Sequence, residues 1–148
     1  MHNIPLSFNF WQKYLKITAV LFCLQGLSWC VIGSLEPFGW YDSLMSNAIL
    51  GLSELPADAQ KIFQFILIPF GATDAAYFML FYFVVEYPLK NKEKWAWNAL
   101  VTCTFFWFAV DTVACLFYAA YFNILMVNIP SILVLSLGFF GIKKYMKD

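Results

Sequence analysis

The sequence predicts an all-α membrane protein: a membrane-spanning four-helix bundle with a short interfacial helix in the connection between its first two spans. Three observations carry this. Of 148 residues, 62% are hydrophobic and 12% charged, against roughly 25% charged in a soluble domain, and the mean hydropathy is +0.70. Four apolar runs, Ile17–Leu35, Ile62–Val85, Trp95–Phe122 and Ile124–Ile142, reach the ~20 residues needed to cross a hydrocarbon core about 30 Å thick. Lipid offers their backbones no outside partner, so they must be helical. Finally, the lysines fall almost entirely on one side of these runs.

The first helix is expected over residues 14–35. The first ten residues, with Pro5 and two asparagines, read as irregular chain along the inner surface. Trp11, Lys13, Tyr14 and Lys16 then supply aromatic and cationic anchoring at a membrane interface. The apolar run is longer than the 7–15 residues of a signal-peptide core, so the helix is read as retained. Glu36-Pro37 stops it, because the residue before a proline is steered out of the α region. In the connection that follows, Leu44, Ala48 and Leu52 share one face, which suits a short helix lying on the membrane or lidding the bundle. The second helix is expected over 57–87. Pro56 fits the first helical position and Asp58 favours the dipole of the first turn, while Tyr87-Pro88 ends the helix. The third, over 94–122, begins with Trp95 and Trp97 at the interface. The fourth, over 124–144, follows so closely that the two must be antiparallel neighbours. The four form one transmembrane domain over residues 1–148, and no internal repeat points to an inverted-repeat transporter.

Lys13 and Lys16 precede the first span, Lys90, Lys92 and Lys94 lie between the second and third, and Lys143, Lys144 and Lys147 follow the fourth; Lys61 alone falls on the other side. That partition places both ends on the cytoplasmic face of the cell membrane and the segment 36–60 outside. It also argues against dual topology. Cys23, Cys30, Cys103 and Cys115 all lie within spans, without a C-x-x-C pair, and read as small hydrophobes rather than a redox centre. His2 is the one histidine, which excludes bis-histidine haem and disfavours a Cys/His zinc site. No cofactor and no metal ligand is expected.

The candidate site rests on two aspartates. Asp74 is the only charge in Ile62–Val85 and Asp111 the only one in Trp95–Phe122, with no arginine anywhere and no lysine inside either run. An ionisable group at membrane depth costs about 2.5–3.5 kcal/mol or more and marks a functional site by default. At about 1.5 Å per residue, Asp74 lies roughly 20 Å below Lys61 and Asp111 about 15 Å below Tyr121. Gln25 falls about 16 Å below Glu36 and Ser136 about 18 Å below Ile124, so four helices place a polar group in one layer. Polar side chains turn inward there, away from the lipid tails.

Spacing agrees: Thr104, Asp111, Cys115 and Tyr118 share a face of the third helix, and Gly71, Asp74 and Tyr77 one of the second. Gly71 and Ala75 permit close approach of a neighbour, and Pro69 predicts a kink before Asp74. Trp107, one turn before Asp111, is placed to stack on a ligand or cation, although buried tryptophan more often serves packing. The candidate ligand-binding set is Asp74, Asp111, Gln25, Tyr77, Trp107, Thr112 and Ser136, with no catalytic residue. Two carboxyls in low dielectric cannot both be ionised cheaply. They can share one proton, stay neutral against Gln25, Thr73 or Thr112, or bind a cation. Glu86 pairs with Lys90 one turn on, and Asn123 and Asn128 read as caps or interface contacts.

The stretch Trp95-Ala96-Trp97, followed by Trp107-Phe108-Ala109-Val110-Asp111-Thr112 and later Asn123 and Ile129-Pro130, resembles a pattern in small uncharacterised bacterial four-helix integral membrane proteins. The resemblance covers the second half of the chain. It implies a bacterial multi-pass membrane protein and brings no activity with it.

Three classes compete. In the binding or structural reading the bundle holds a small cationic or apolar ligand, or a partner's helix, against the aspartate layer, or is a structural bundle of hydrogen-bonded neutral aspartates; in the second it is a proton- or cation-coupled transporter of small amphiphiles; in the third it is an enzyme acting on lipid. Small multidrug exporters are similar in size, but their membrane acid is a glutamate in the first helix, where this chain offers Gln25. Sterol isomerases use paired carboxylates in a four-helix bundle, but their motifs are absent, and the enzyme is the least supported class. Without arginine or internal lysine, anionic ligands are disfavoured. The expected partners are membrane lipid, a small hydrophobic or cationic ligand and a homo-oligomeric copy of the chain, with no nucleic acid.

Overall fold

A computed structural model describes residues 7–32 and 39–146. Every regular element among them is helical: α1 (Phe8–Ile32), α2 (Gly39–Leu50), α3 (Ala57–Glu86), α4 (Lys94–Phe117) and α5 (Tyr121–Lys143). α3, α4 and α5 are long and apolar enough to cross a membrane, which marks the chain as a membrane protein.

The helix ends show local chemistry that hydropathy does not carry. α1 starts at Phe8, inside the stretch expected to be irregular. The Ser7 hydroxyl and carbonyl accept from the Phe10 N–H at 3.4 and 3.1 Å, the action of an N-capping serine. Trp11, expected at the interface, packs its ring on Gly141 of α5. The expected stop at Leu35 and Glu36-Pro37 lies outside the described residues. Pro56 caps α3 from outside, with φ −53° and ψ 145°, rather than taking its first helical position.

α4 ends at Phe117, short of the expected 122. There Ala119 N–H donates to Leu116 O and Ala120 N–H to Cys115 O, at 3.3 and 2.8 Å, the paired bonds of a Schellman ending. The residue that turns left-handed is Ala119, with φ 54°, where glycine is usual because a Cβ makes αL costly by roughly 1–2 kcal/mol. Ala119→Gly is therefore expected to stabilise the protein by about 0.5–1 kcal/mol, seen as a higher melting midpoint in detergent.

α5 begins at Tyr121, and its residues Ile124–Asn128 form a π turn. The Ile129 N–H reaches back five residues to Ile124 O. Pro130 follows at once, and its ring needs room at the carbonyl four residues earlier. A wider turn supplies it.

α1 pairs most extensively with α3, and the contacts α1–α5, α4–α5 and α3–α4 complete the packing. The α1–α3 crossing is set by two glycines. A methyl on Gly26 would stand 2.6 Å from Ala75 N and 2.8 Å from Gly71 O, and one on Gly71 would stand 2.5 Å from Gly26 O. The expected close approach at Gly71 and Ala75 is thus made by α1.

The half of the molecule that carries most lysines is solid. Leu15, Ala19, Phe81, Val85, Leu89, Ala96, Leu100, Leu135, Phe139 and Ile142 are buried against one another. Side chains tie the helices across it: Gln12 Nε2 donates to Val85 O (3.1 Å), Tyr14 OH to Val134 O (3.0 Å) and Trp97 Nε1 to Phe139 O (3.0 Å). Glu86 pairs with Lys90 at 3.3 Å, as its spacing suggested, and more closely with Lys16 of α1 at 2.8 Å.

The opposite half is hollow, and α2 caps it. Tyr41 sits between the rings of Trp29 and Phe122, with centroids at 5.2 and 5.4 Å. Tyr41, Met45 and Ile49 of α2 line the hollow, while Leu44, of the expected apolar face, is on the surface of α2 and Leu52 lies beyond its end.

Candidate binding cavity beneath the second helix

The hollow half holds a cavity of about 620 Å³, within the 300–1,000 Å³ typical of small-molecule sites. All five helices contribute. Phe22, Gln25 and Trp29 come from α1, Tyr41, Met45 and Ile49 from α2, and Phe70, Thr73, Asp74, Tyr77 and Phe78 from α3. Trp107, Asp111 and Cys115 of α4, Tyr118 just beyond its end, and Asn123, Val127, Ser131 and Leu135 of α5 close the circuit. The walls are mostly aromatic and aliphatic, with acid as their only charge and no lysine among them.

The two aspartates line the same cavity in different states. Asp111 is satisfied by its neighbours: Cys115 Sγ donates to Oδ2 at 3.5 Å and Asn123 Nδ2 donates to the same oxygen at 3.3 Å. Asn123 Nδ2 also lies 3.1 Å from Cys115 Sγ and 3.5 Å from Asn128 Oδ1. Asn128, fully buried, donates to Thr112 Oγ1 at 3.0 Å. The π turn makes this possible, because its five-residue repeat puts Asn123 and Asn128 on one side of α5. Neither asparagine acts as a side-chain cap. From α2, Tyr41 OH donates to Asn123 Oδ1 at 3.0 Å. Burial first, then the Asp111 carboxyl, the Cys115 thiol and Asp42, push the Tyr41 hydroxyl up to about 12, so it remains a neutral donor.

Asp74 has no such support. Its carboxyl lies against the glycine crossing, where a methyl on Gly26 would meet Oδ2 at 2.9 Å. Among the described residues it has no ion-pair partner and accepts no side-chain hydrogen bond. Thr73 is turned back to Pro69 O at 2.7 Å, and Tyr77 OH pairs with Thr104 Oγ1 of α4 at 3.2 Å. No hydrogen bond joins Asp74 to Asp111, so a proton shared directly between them is not the arrangement found.

Of the residues singled out by sequence, Asp74, Asp111, Gln25, Tyr77 and Trp107 meet at the cavity. Thr112 stands behind the wall, holding Asn128. Ser136 is not on the wall; Ser131 and Leu135 occupy that side of α5. One turn of wider helix shifts the facing of everything after it, which ideal spacing does not anticipate. Asn123, Cys115 and Tyr41 surround Asp111 although none was in the candidate set. Cys115 had a visible signal, four residues from Asp111 on the same face, whereas Tyr41 had none. All four cysteines are free thiols. Among the described residues no three His, Cys, Asp or Glu side chains converge as a metal site.

The chain matches no known protein family, no curated protein sequence and no solved structure. The chemistry of the cavity walls is therefore the guide to function.

Proposed function

We propose that the chain is a four-span membrane bundle whose cavity binds a small cationic or apolar ligand, with Asp74 as the recognising group. The observation that carries this is the contrast between the two acids. Asp111 has its donors from the protein, while Asp74 lines an aromatic cavity with none. A carboxyl in a low-dielectric interior must find a counter-charge, a donor or a proton. Trp29 and Trp107 line the same cavity, and aromatic rings attract a desolvated cation. Asp111 fits the structural alternative of an internally hydrogen-bonded acid. Coupled transport is less well supported, because Phe78, Phe81, Leu135 and Phe139 fill the path to the lysine-rich end.

The test is a thermal-shift screen of organic amines and their neutral analogues across pH, on the parent and on Asp74→Asn. Amines are expected to raise the midpoint of the parent alone. Identical profiles for the two proteins would reject Asp74 as a binding group.

In the same reading α1 is the fourth span. It runs 25 residues with Lys13 and Lys16 near one end and packs along α3. The lysine partition puts residues 90–94 and 143–147 on the cytoplasmic side, with α2 at the outer interface. Reporter fusions after residue 148 and within α2 are expected to report opposite sides of the membrane. A periplasm-active reporter at 148 would overturn this orientation.

A further inference from the structure

The cavity has wall residues exposed at the surface between α3 and α4, and their position narrows the class of ligand. Toward the lysine-rich end it stops at Phe78 and Leu135, part of the packed core. Toward the other end Tyr41, Met45 and Ile49 line it, with Tyr41 held to Asn123 at 3.0 Å. Between α3 and α4 the wall is thin. Phe70 and Phe106 line the cavity yet are 52% and 71% exposed. Thr73 and Cys103 also line it and are exposed. All four belong to helices apolar enough to cross a membrane, so the surface on which the cavity opens is one that lipid covers.

We infer that the ligand is a single-chain amphiphile with an amine or quaternary ammonium head, which enters from the lipid between α3 and α4. This rests on the reading that Asp74 is the binding group. The head sets against Asp74 among aromatic rings, where a desolvated cation gains most from ring faces. The tail lies along Phe70 and Phe106 and leaves through the gap into hydrocarbon. A bare water-soluble cation would reach the α3–α4 gap only by crossing apolar lipid without a counter-charge. An anionic head would meet Asp74 and Asp111 with no lysine on the walls.

The experiment uses the full chain in lipid nanodiscs, with dodecyltrimethylammonium, tetramethylammonium and dodecanol as probes and native mass spectrometry as readout. Dodecyltrimethylammonium is expected to bind one per chain, about tenfold or more tighter than either other probe. Asp74→Asn should abolish that preference. Thr73→Trp, which fills the gap, should weaken binding by about tenfold, whereas Leu137→Trp on the outer face of α5 should not. A second measurement needs no variant: bound dodecyltrimethylammonium should slow the reaction of Cys103 with a lipid-soluble maleimide, mapped by peptide mass. Equal binding of tetramethylammonium would overturn the tail and the lipid route, and equal binding of dodecanol would overturn the cationic head. Full affinity in Thr73→Trp with Cys103 unprotected would overturn the α3–α4 gap while leaving Asp74 as the binding group. If no amine binds the parent, the binding reading itself fails.

Discussion

Asp111→Ala is expected to destabilise the empty protein by about 1–3 kcal/mol, the cost of leaving buried donors without their acceptor, while Asp74→Ala is expected to cost almost nothing or to stabilise. Asn123 Nδ2 and Cys115 Sγ both donate to Asp111 Oδ2, and Asn123 is also where Tyr41 fastens α2. Loss of that oxygen therefore reaches α4, α5 and α2 together. Asp111→Asn keeps an acceptor oxygen and should lose much less. At Asp74 no described donor is abandoned, and removing an unpaired polar group from an apolar interior relieves a desolvation penalty. Unfolding midpoints of the four proteins without ligand check this. Equal losses at both positions would mean that Asp74 is as much a structural acid as Asp111.

The largest loss of fold is expected at the glycine crossing. Gly26→Ala puts a methyl 2.6 Å from Ala75 N and 2.8 Å from Gly71 O, both backbone atoms. Neither can swing away as a long side chain would, so α1 and α3 must separate. Overpacking of this kind costs about 1–3 kcal/mol, and Gly26→Leu or Gly71→Leu should fail to give a folded protein. Ala76→Leu on the exposed side of α3 is the control, expected to stay within about 0.5 kcal/mol of the parent. Expression and melting in detergent separate these outcomes. A folded Gly71→Leu with the parent's midpoint would mean the crossing is not tight.

Much of this was legible in the sequence because two signals are strong in apolar chains. Long uncharged runs announce helices, and a lone carboxylate within one stands out against its surroundings. Asp74 and Asp111 were found that way, as were Tyr77 and Trp107 on their faces. The helix ends were not, because the break after Phe117 is made by Ala119 in a left-handed turn, amid Tyr118, Ala120 and Tyr121, with no glycine or proline to mark it. Which residues of α2 line the hollow was not legible, because apolar residues lie all round the helix and contact with Trp29 and Phe122, far away in sequence, places Tyr41 there. The difference between the two acids was out of reach for the same reason. It depends on Asn123, whose side chain meets Asp111 only through the turn at 118–120 and the π turn that follows.

That π turn makes the network around Asp111 sensitive to chain length rather than to side-chain chemistry. A helix winds about 100° per residue. Deleting any one residue between Ile124 and Asn128 would let the segment relax to an ordinary α-helix, with every side chain outside the deletion unchanged. Tyr121–Asn123 would then be wound about 100° against the rest of α5, and the Asn123 amide would swing off both Asp111 and Tyr41. A single lost codon could thus unfasten α2 and strip Asp111 of a donor at one stroke, while hydropathy and composition stayed almost the same.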